Sequence, residues 1–85
     1  MNATAKDAAV QTYPRGETVA VLNRSYSGKL IFEGFAKVCD WSADTGQYWV
    51  HFIGKRGRLD EHGPVQRFIE DAAQADPEKY VRDHQ

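Results

Sequence analysis

The chain has 85 residues, a formal net charge of −1 and a single cysteine, which indicates one small domain without an internal disulfide framework. The near-neutral charge excludes a global attraction to nucleic acid or to anionic lipid. No apolar run is long enough for a signal peptide or a membrane span, and the lone Cys39 suits a reducing compartment. We therefore expect a cytoplasmic protein with no membrane partner.

The N-terminal residues lack any hydrophobic periodicity. Residues 1–14 end in Tyr13-Pro14, and the proline favours extended geometry in the residue before it. This pattern predicts a loose arm over residues 1–14, ordered only where it docks on something. One domain is then expected over residues 15–85.

Three β-strands are predicted after the arm. Residues 18–22 are β-branched and alternating, residues 29–41 form the longest strand, and residues 47–53 form the third. Polar, glycine-containing segments connect them. Gly34 lies in the middle of the second strand and predicts a bulge or a sharp bend, beyond which the two faces of that strand are not fixed by the pattern. Leu59 is a candidate for a short fourth strand.

The hydrophobic period changes after Gly63-Pro64. Apolar residues then recur at helical spacing, which predicts an amphipathic helix with one apolar stripe, formed by Val65, Phe68, Ile69, Ala72 and Ala73. Asp76-Pro77 predicts the start of a second short helix, with Asp76 as its N-cap. The expected fold class is therefore α+β, with a helical C-terminus over about residues 64–83.

Both faces of the two longer strands carry large apolar side chains, whereas a half-exposed sheet would be polar on one side. Something must therefore cover the second face. The candidates are the helix expected from Val65 and a second copy of the chain. A domain this small buries only about 60% of the surface of its unfolded chain, so a partner subunit would add stability.

The order of elements resembles a small SH3-like barrel of the kind found in short proteins of bacteria, phages and mobile elements. The resemblance covers residues 15–60 and depends on Gly16-Glu17-Thr18-Val19, the bend at Glu33-Gly34 and the strand from Tyr48 to Phe52. It implies an antiparallel barrel or sheet but not one function, since this barrel hosts many. Val65-Gln66 also matches the first two positions of the Val-Gln-Ile-Tyr pore run of plasmid-borne trimethoprim-resistant dihydrofolate reductases, and Arg67-Phe68 departs from it.

Aromatic side chains are concentrated in the second and third predicted strands. Such residues usually form the core of a small domain, but on an exposed face they bind peptides or stack on bases. We expect a partner surface formed by Phe35, Trp41 and Trp49 with Lys37. The corresponding function is a non-enzymatic binding module, a small homo-oligomer that contacts a protein or peptide.

Basic residues suggest a second function. Lys and Arg exceed Asp and Glu over residues 15–67, whereas the tail is acidic. A nucleic-acid-binding barrel would use cations on two connecting segments together with the sheet aromatics. These cations are Arg24, Lys29, Lys55, Arg56 and Arg58. Alternatively, they are solvated loop residues.

Catalytic and metal-binding patterns are weak. Asp60-Glu61-His62 groups acid–base side chains, but adjacent residues in a glycine-flanked segment usually form a polar turn. Cys39, Asp40 and His51 lack the spacing of a zinc site. We expect no metal, no cofactor and no catalytic residue within one chain. A third possibility is a ligand or enzyme site that forms at an interface between subunits.

Overall fold

The computed structural model describes residues 12–85, so residues 1–11 of the predicted arm lie outside the described residues. Four strands form one antiparallel sheet in chain order: β1 (Thr18–Arg24), β2 (Leu30–Ser42), β3 (Gln47–Phe52) and β4 (Val65–Arg67). One α-helix follows, α1 (Pro77–Asp83), and short 3-10 helices span Lys55–Gly57 and Asp71–Ala73. Among the described residues β1 does not pair with β4, so the sheet is open. An α+β fold with a short C-terminal helix is thereby confirmed.

Two β-bulges divide β2. The register shifts once where Val21 faces Gly34 and Leu22 faces Phe32, which confirms the irregularity predicted at Gly34. Gly34 has φ = +139°, a conformation that glycine adopts without steric cost. A second shift falls at Cys39, which has no partner on β3. Each bulge adds one residue and changes which face the following side chains occupy.

One face of the sheet, the inner face, carries the core. Its buried members are mostly small β-branched residues on the three longer strands, which suit a pleated surface: Val19, Val21, Ala36, Val38, Tyr48 and Val50. Phe52, Val65 and Ile69 pack against them. Even the largest fully buried side chains are valines, so this core is modest.

The helix predicted from Val65 is wrong. Val65 pairs with Val50 and Arg67 pairs with Tyr48, which makes this segment the strand β4. Pairing with β3 satisfies backbone groups of this segment and partly buries Val65, so this tertiary contact overrides the helical spacing. The chain then crosses the inner face from β4 towards β1, since Ile69 packs on the core and Gln74 bonds to Ala20 at the far edge.

The second predicted helix is confirmed as α1. The Asp76 side chain accepts a hydrogen bond from the Lys79 backbone N–H at 3.2 Å, and Pro77 occupies the first turn. After α1, the side-chain amide of Gln85 bonds to both backbone groups of Leu30 at the start of β2. The C-terminal segment is therefore attached to the sheet at two places.

Residues 12 and 13 of the predicted arm lie against the inner face. The Tyr48 hydroxyl accepts hydrogen bonds from the backbone N–H groups of Thr12 at 2.7 Å and Tyr13 at 3.3 Å. The Tyr13 ring packs edge-on against Tyr48 with centroids 5.5 Å apart, and its hydroxyl donates to Asp71. Burial and the Asp71 carboxylate together raise the pKa of Tyr13.

Candidate functional site: the outer face of the sheet

The face opposite the core, here called the outer face, is where exposed aromatic residues lie. The register places Phe32, Phe35 and Lys37 of β2 on this face, together with Trp49 and His51 of β3. Phe35 is 47% exposed and Trp49 is 39% exposed. The segment that crosses the inner face leaves these two rings accessible, so the C-terminal segment does not cover this part of the outer face.

The predicted partner residues divide between the two faces. Phe35, Lys37 and Trp49 share the outer face, whereas Trp41 lies on the inner face with its ring centroid 4.7 Å from that of Tyr48. The bulge at Cys39 causes this division, because the extra residue turns the side chains that follow it towards the core. Plain alternation would have left Trp41 beside Phe35 and Lys37.

The bulge at Gly34 brings two aromatic rings together. Phe32 and Phe35 are separated by two residues yet contact each other, with centroids 5.3 Å apart and an interplanar angle of 80°. Such edge-to-face pairs stabilise by about 0.5–1.5 kcal/mol beyond their area burial. The pairing places the Phe35 ring next to that of Phe32 on the outer face.

Polar groups surround Trp49. Trp49 pairs with Asp40 on β2 and with Gln66 on β4, and Lys37 pairs with His51 beside Trp49.

Two of these polar neighbours have hydrogen-bond partners of their own. Asp40 accepts a hydrogen bond from the Trp41 backbone N–H at 2.8 Å, which lowers the pKa of the Asp40 carboxyl, with a further contribution from Arg15. The His51 ring donates through Nε2 to the Asp60 carbonyl. The outer face therefore carries two exposed rings, Phe35 and Trp49, with the Lys37–His51 pair between them, and such a mixture of aromatic and polar groups is also found at protein interfaces.

A basic turn, residues 54–58, adjoins the outer face. The Ile53 N–H donates to the Phe35 carbonyl at 2.9 Å, and the basic turn begins at the residue after Ile53. Arg56 has φ = +61°, the left-handed region that a side chain seldom adopts. Among the described residues, no ion pair engages Lys55, Arg56 or Arg58. These three predicted nucleic-acid contacts are thus brought together beside the outer face.

The other two predicted cations lie at the two ends of the connection between β1 and β2: Arg24 is the last residue of β1, and Lys29 directly precedes β2. Arg24 donates to the Gly28 carbonyl at 2.8 Å and also lines a pocket of about 400 Å³ against the C-terminal segment. Lys29 is exposed in the same connection. Tyr80 donates to Glu70 across that pocket at 3.1 Å, and this hydrogen bond raises the pKa of Tyr80. Arg24 therefore lines the same pocket as Glu70 of the acidic C-terminal segment.

The candidate acid–base cluster is a local turn. Asp60 accepts from the His62 ring at 3.0 Å, and this hydrogen bond lowers the pKa of Asp60. The His62 side chain is largely exposed. Within residues 12–85, no group of three or more His, Cys, Asp or Glu side chains is placed to hold a metal ion. Over the same range, no helix has the length and apolar character needed to cross a membrane.

Sequence patterns do not point to two residues near these surfaces. The helical spacing predicts a helix at Gln66 and so does not associate it with Trp49, whereas β4 brings Gln66 alongside that residue. Gln74 lies in a polar stretch with no motif. Its contact with Ala20 joins two residues that are 54 positions apart in the chain, and local patterns do not predict such a contact.

No protein-family model matches the chain, and no curated protein or solved structure matches it.

Proposed function

We propose that this protein is a non-enzymatic binding module that assembles as a small homo-oligomer and contacts a protein or peptide through its outer face. The single observation that carries this proposal is the exposure of Phe35 and Trp49 on either side of Lys37, on the face away from the core. Exposed aromatic side chains often contribute much of the binding energy at protein interfaces, and tryptophan is among the residues enriched there. We further propose that the open, bent sheet belongs to the SH3-like class.

A second copy of the chain is the partner we would test first. The core of this small domain is built mainly from valine and alanine, so further burial at an interface would add a substantial fraction of its stability. Pairing two outer faces about a two-fold axis would bury both aromatic rings of both copies. Such an association is driven by apolar burial and should change little with salt.

Light scattering of the purified protein over a range of salt tests this. We expect about twice the 9.6 kDa chain mass, with Trp49→Ser and Phe35→Ser returning the protein to a monomer. Tyr26→Ser is the matched control, because Tyr26 is a fully exposed aromatic residue on the β1–β2 connection. A wild-type protein that remains monomeric at every concentration, or a control that behaves like Trp49→Ser, contradicts the self-association.

Binding of single-stranded nucleic acid is the second candidate function. The observation in its favour is the basic turn, whose cations have no ion-pair partner among the described residues and adjoin Phe35. Cations next to exposed rings suit a phosphate backbone with stacked bases. Binding of a labelled oligothymidylate should then weaken steeply with salt.

Two variants test this function. Arg56→Gly removes one charge and suits the left-handed backbone at that position, so it should lower the affinity for the oligothymidylate without unfolding the protein. Lys79→Ala on α1 should leave that affinity unchanged. Affinity that is equal in both variants contradicts this function.

A ligand or enzyme site between subunits is the third candidate. It gains support from β4, because Val65-Gln66 lies on an edge strand where a second copy can approach. Arg67, at the first position that departs from the reductase run, is held by Glu33 at 2.7 Å. An assay of dihydrofolate reduction at concentrations where the protein is oligomeric tests this candidate, and the absence of turnover contradicts it.

A further inference from the structure

The outward edge of β1 is closed by one side chain. The Gln74 side-chain oxygen accepts a hydrogen bond from the Ala20 N–H at 2.8 Å. The Gln74 side-chain nitrogen donates to the Ala20 carbonyl at 3.0 Å, and also to the Glu70 carbonyl at 3.0 Å. Ala20 is 1% exposed and the neighbouring Ala73 is fully buried. The two hydrogen bonds between Gln74 and Ala20 are therefore partly buried, whereas the bond to Glu70 is exposed.

This contact reproduces the hydrogen bonding of a strand. A glutamine side chain ends in an amide, the same chemical group as a peptide bond, with one acceptor and donors on the nitrogen. In an antiparallel ladder, two residues that face each other exchange both N–H···O bonds. Gln74 makes the same two bonds to Ala20, so its amide occupies the place of a residue in an added strand.

Nothing else in β1 protects that edge. Natural edge strands are usually guarded by charges, proline, a bulge or a covering segment. β1 has the sequence TVAVLNR, in which Arg24 at the end is the only charge and proline is absent. Its centre, Val19 to Val21, is apolar and buried. Among the described residues, the segment between β4 and α1, through Gln74, is thus what protects this edge.

We propose that the edge of β1 is a self-association surface that Gln74 holds closed. When the amide leaves, two copies pair their β1 strands antiparallel about a two-fold axis at Ala20. A second copy is the occupant that fits, because this arrangement lets the two Ala20 residues exchange both hydrogen bonds and sets Thr18 of each copy opposite Leu22 of the other. The surface is separate from the outer face and does not depend on the function proposed above.

The test compares Gln74→Ala with Gln85→Ala. Gln85 makes the same pair of bonds to Leu30, at 3.2 and 2.7 Å, but at the first residue of β2, where an added strand would gain few bonds. Both variants are made in the Trp49→Ser background, so that association through the outer face does not contribute. Light scattering gives the mass, and hydrogen exchange of the Ala20 amide reports whether the edge is open or paired.

We expect Gln74→Ala to at least double the mass relative to its parent, with Ala20 exchange that is fast in dilute solution and slow in concentrated solution. Gln85→Ala should keep the parent mass. Gln74→Glu, which accepts from the Ala20 N–H but has no proton to donate when ionised, should also raise the mass and serves if the alanine variant does not fold. A Gln74 variant that keeps the parent mass with fast Ala20 exchange at every concentration overturns the proposal, as does an equal mass increase in Gln85→Ala.

Discussion

Replacing Arg67 with methionine should strongly destabilise this protein. Arg67 forms a two-pronged ion pair with Glu33, with its Nε 2.7 Å and a terminal nitrogen 3.2 Å from the two carboxylate oxygens. The hydrogen bonds to Glu33 raise the pKa of Arg67. The two side chains are only 29% and 20% exposed. The Arg67→Met variant would leave the Glu33 carboxylate without this partner in a site largely shielded from water.

The magnitude follows from that burial. Removing one partner of a fully buried ion pair costs about 3–5 kcal/mol, so a pair with a fifth to a third of its surface exposed should lose about 2–3 kcal/mol. A domain of 85 residues has a free energy of unfolding of roughly 4–13 kcal/mol. The expected loss is therefore a large part of the total, and should lower the Tm by about 10–20 °C.

A double-mutant cycle measured by urea denaturation is the assay. In the Glu33→Met/Arg67→Met variant no charge is left unpaired, so its stability should return to within about 1 kcal/mol of the wild type. The coupling energy between the two positions should then be about 2 kcal/mol. If the double variant is as unstable as Arg67→Met, or if Arg67→Met loses less than about 0.5 kcal/mol, the pair is a surface contact and the reasoning is refuted.

Three further predictions concern single positions. Tyr48→Phe removes the hydroxyl that accepts from the backbone N–H groups of residues 12 and 13, so the free energy of unfolding should fall by about 1–2 kcal/mol. Hydrogen exchange of the Thr12 amide should become faster, and unchanged exchange would contradict the contact of residues 12 and 13 with Tyr48. Gly34→Ala would place its Cβ at an ordinary 3.8 Å from Phe52 but would keep φ = +139°. Backbone strain alone should therefore lower the free energy of unfolding by about 1–3 kcal/mol, and a thermal melt that shows no loss would count against a strained bulge. The hydrogen bond from Lys79 lowers the pKa of Asp83 below its ordinary value of 3.8. The stability that this hydrogen bond provides is therefore present above pH 3.8 and is lost as the pH falls through the lower pKa of the folded state. A carboxyl titration by NMR that gives a midpoint at or above 3.8 for Asp83 would disprove this.

The local elements followed from the sequence because their signals are local. Alternation of Val19 and Val21 with their neighbours predicted β1, and Asp76-Pro77 predicted the start of α1 through capping alone. Gly34 predicted the first bulge because only glycine adopts its backbone conformation without strain. These features depend on residues that are close together along the chain.

Long-range pairing was the part that local patterns did not contain. Val65 to Ile69 has helical spacing, yet β3 offers hydrogen bonds and a buried surface that a helix would not use, so β4 forms there. The second bulge, at Cys39, has no glycine to mark it, and it alone moves Trp41 from the predicted site into the core. Within the expected partner surface, Phe35, Lys37 and Trp49 lie on one face of the sheet, because Phe35 and Lys37 are between the two bulges and Trp49 is on the adjacent strand β3.

The bulges also determine how this chain tolerates insertions and deletions. Removing Cys39 would restore unbroken alternation at the end of β2, which would transfer Trp41 to the side that carries Trp49 and leave Tyr48 without its ring neighbour. A deletion of one residue elsewhere in β2 would shift every later side chain in the same way, since the period of a strand is two. The length of β2 therefore sets which aromatic rings lie on the outer face of the sheet.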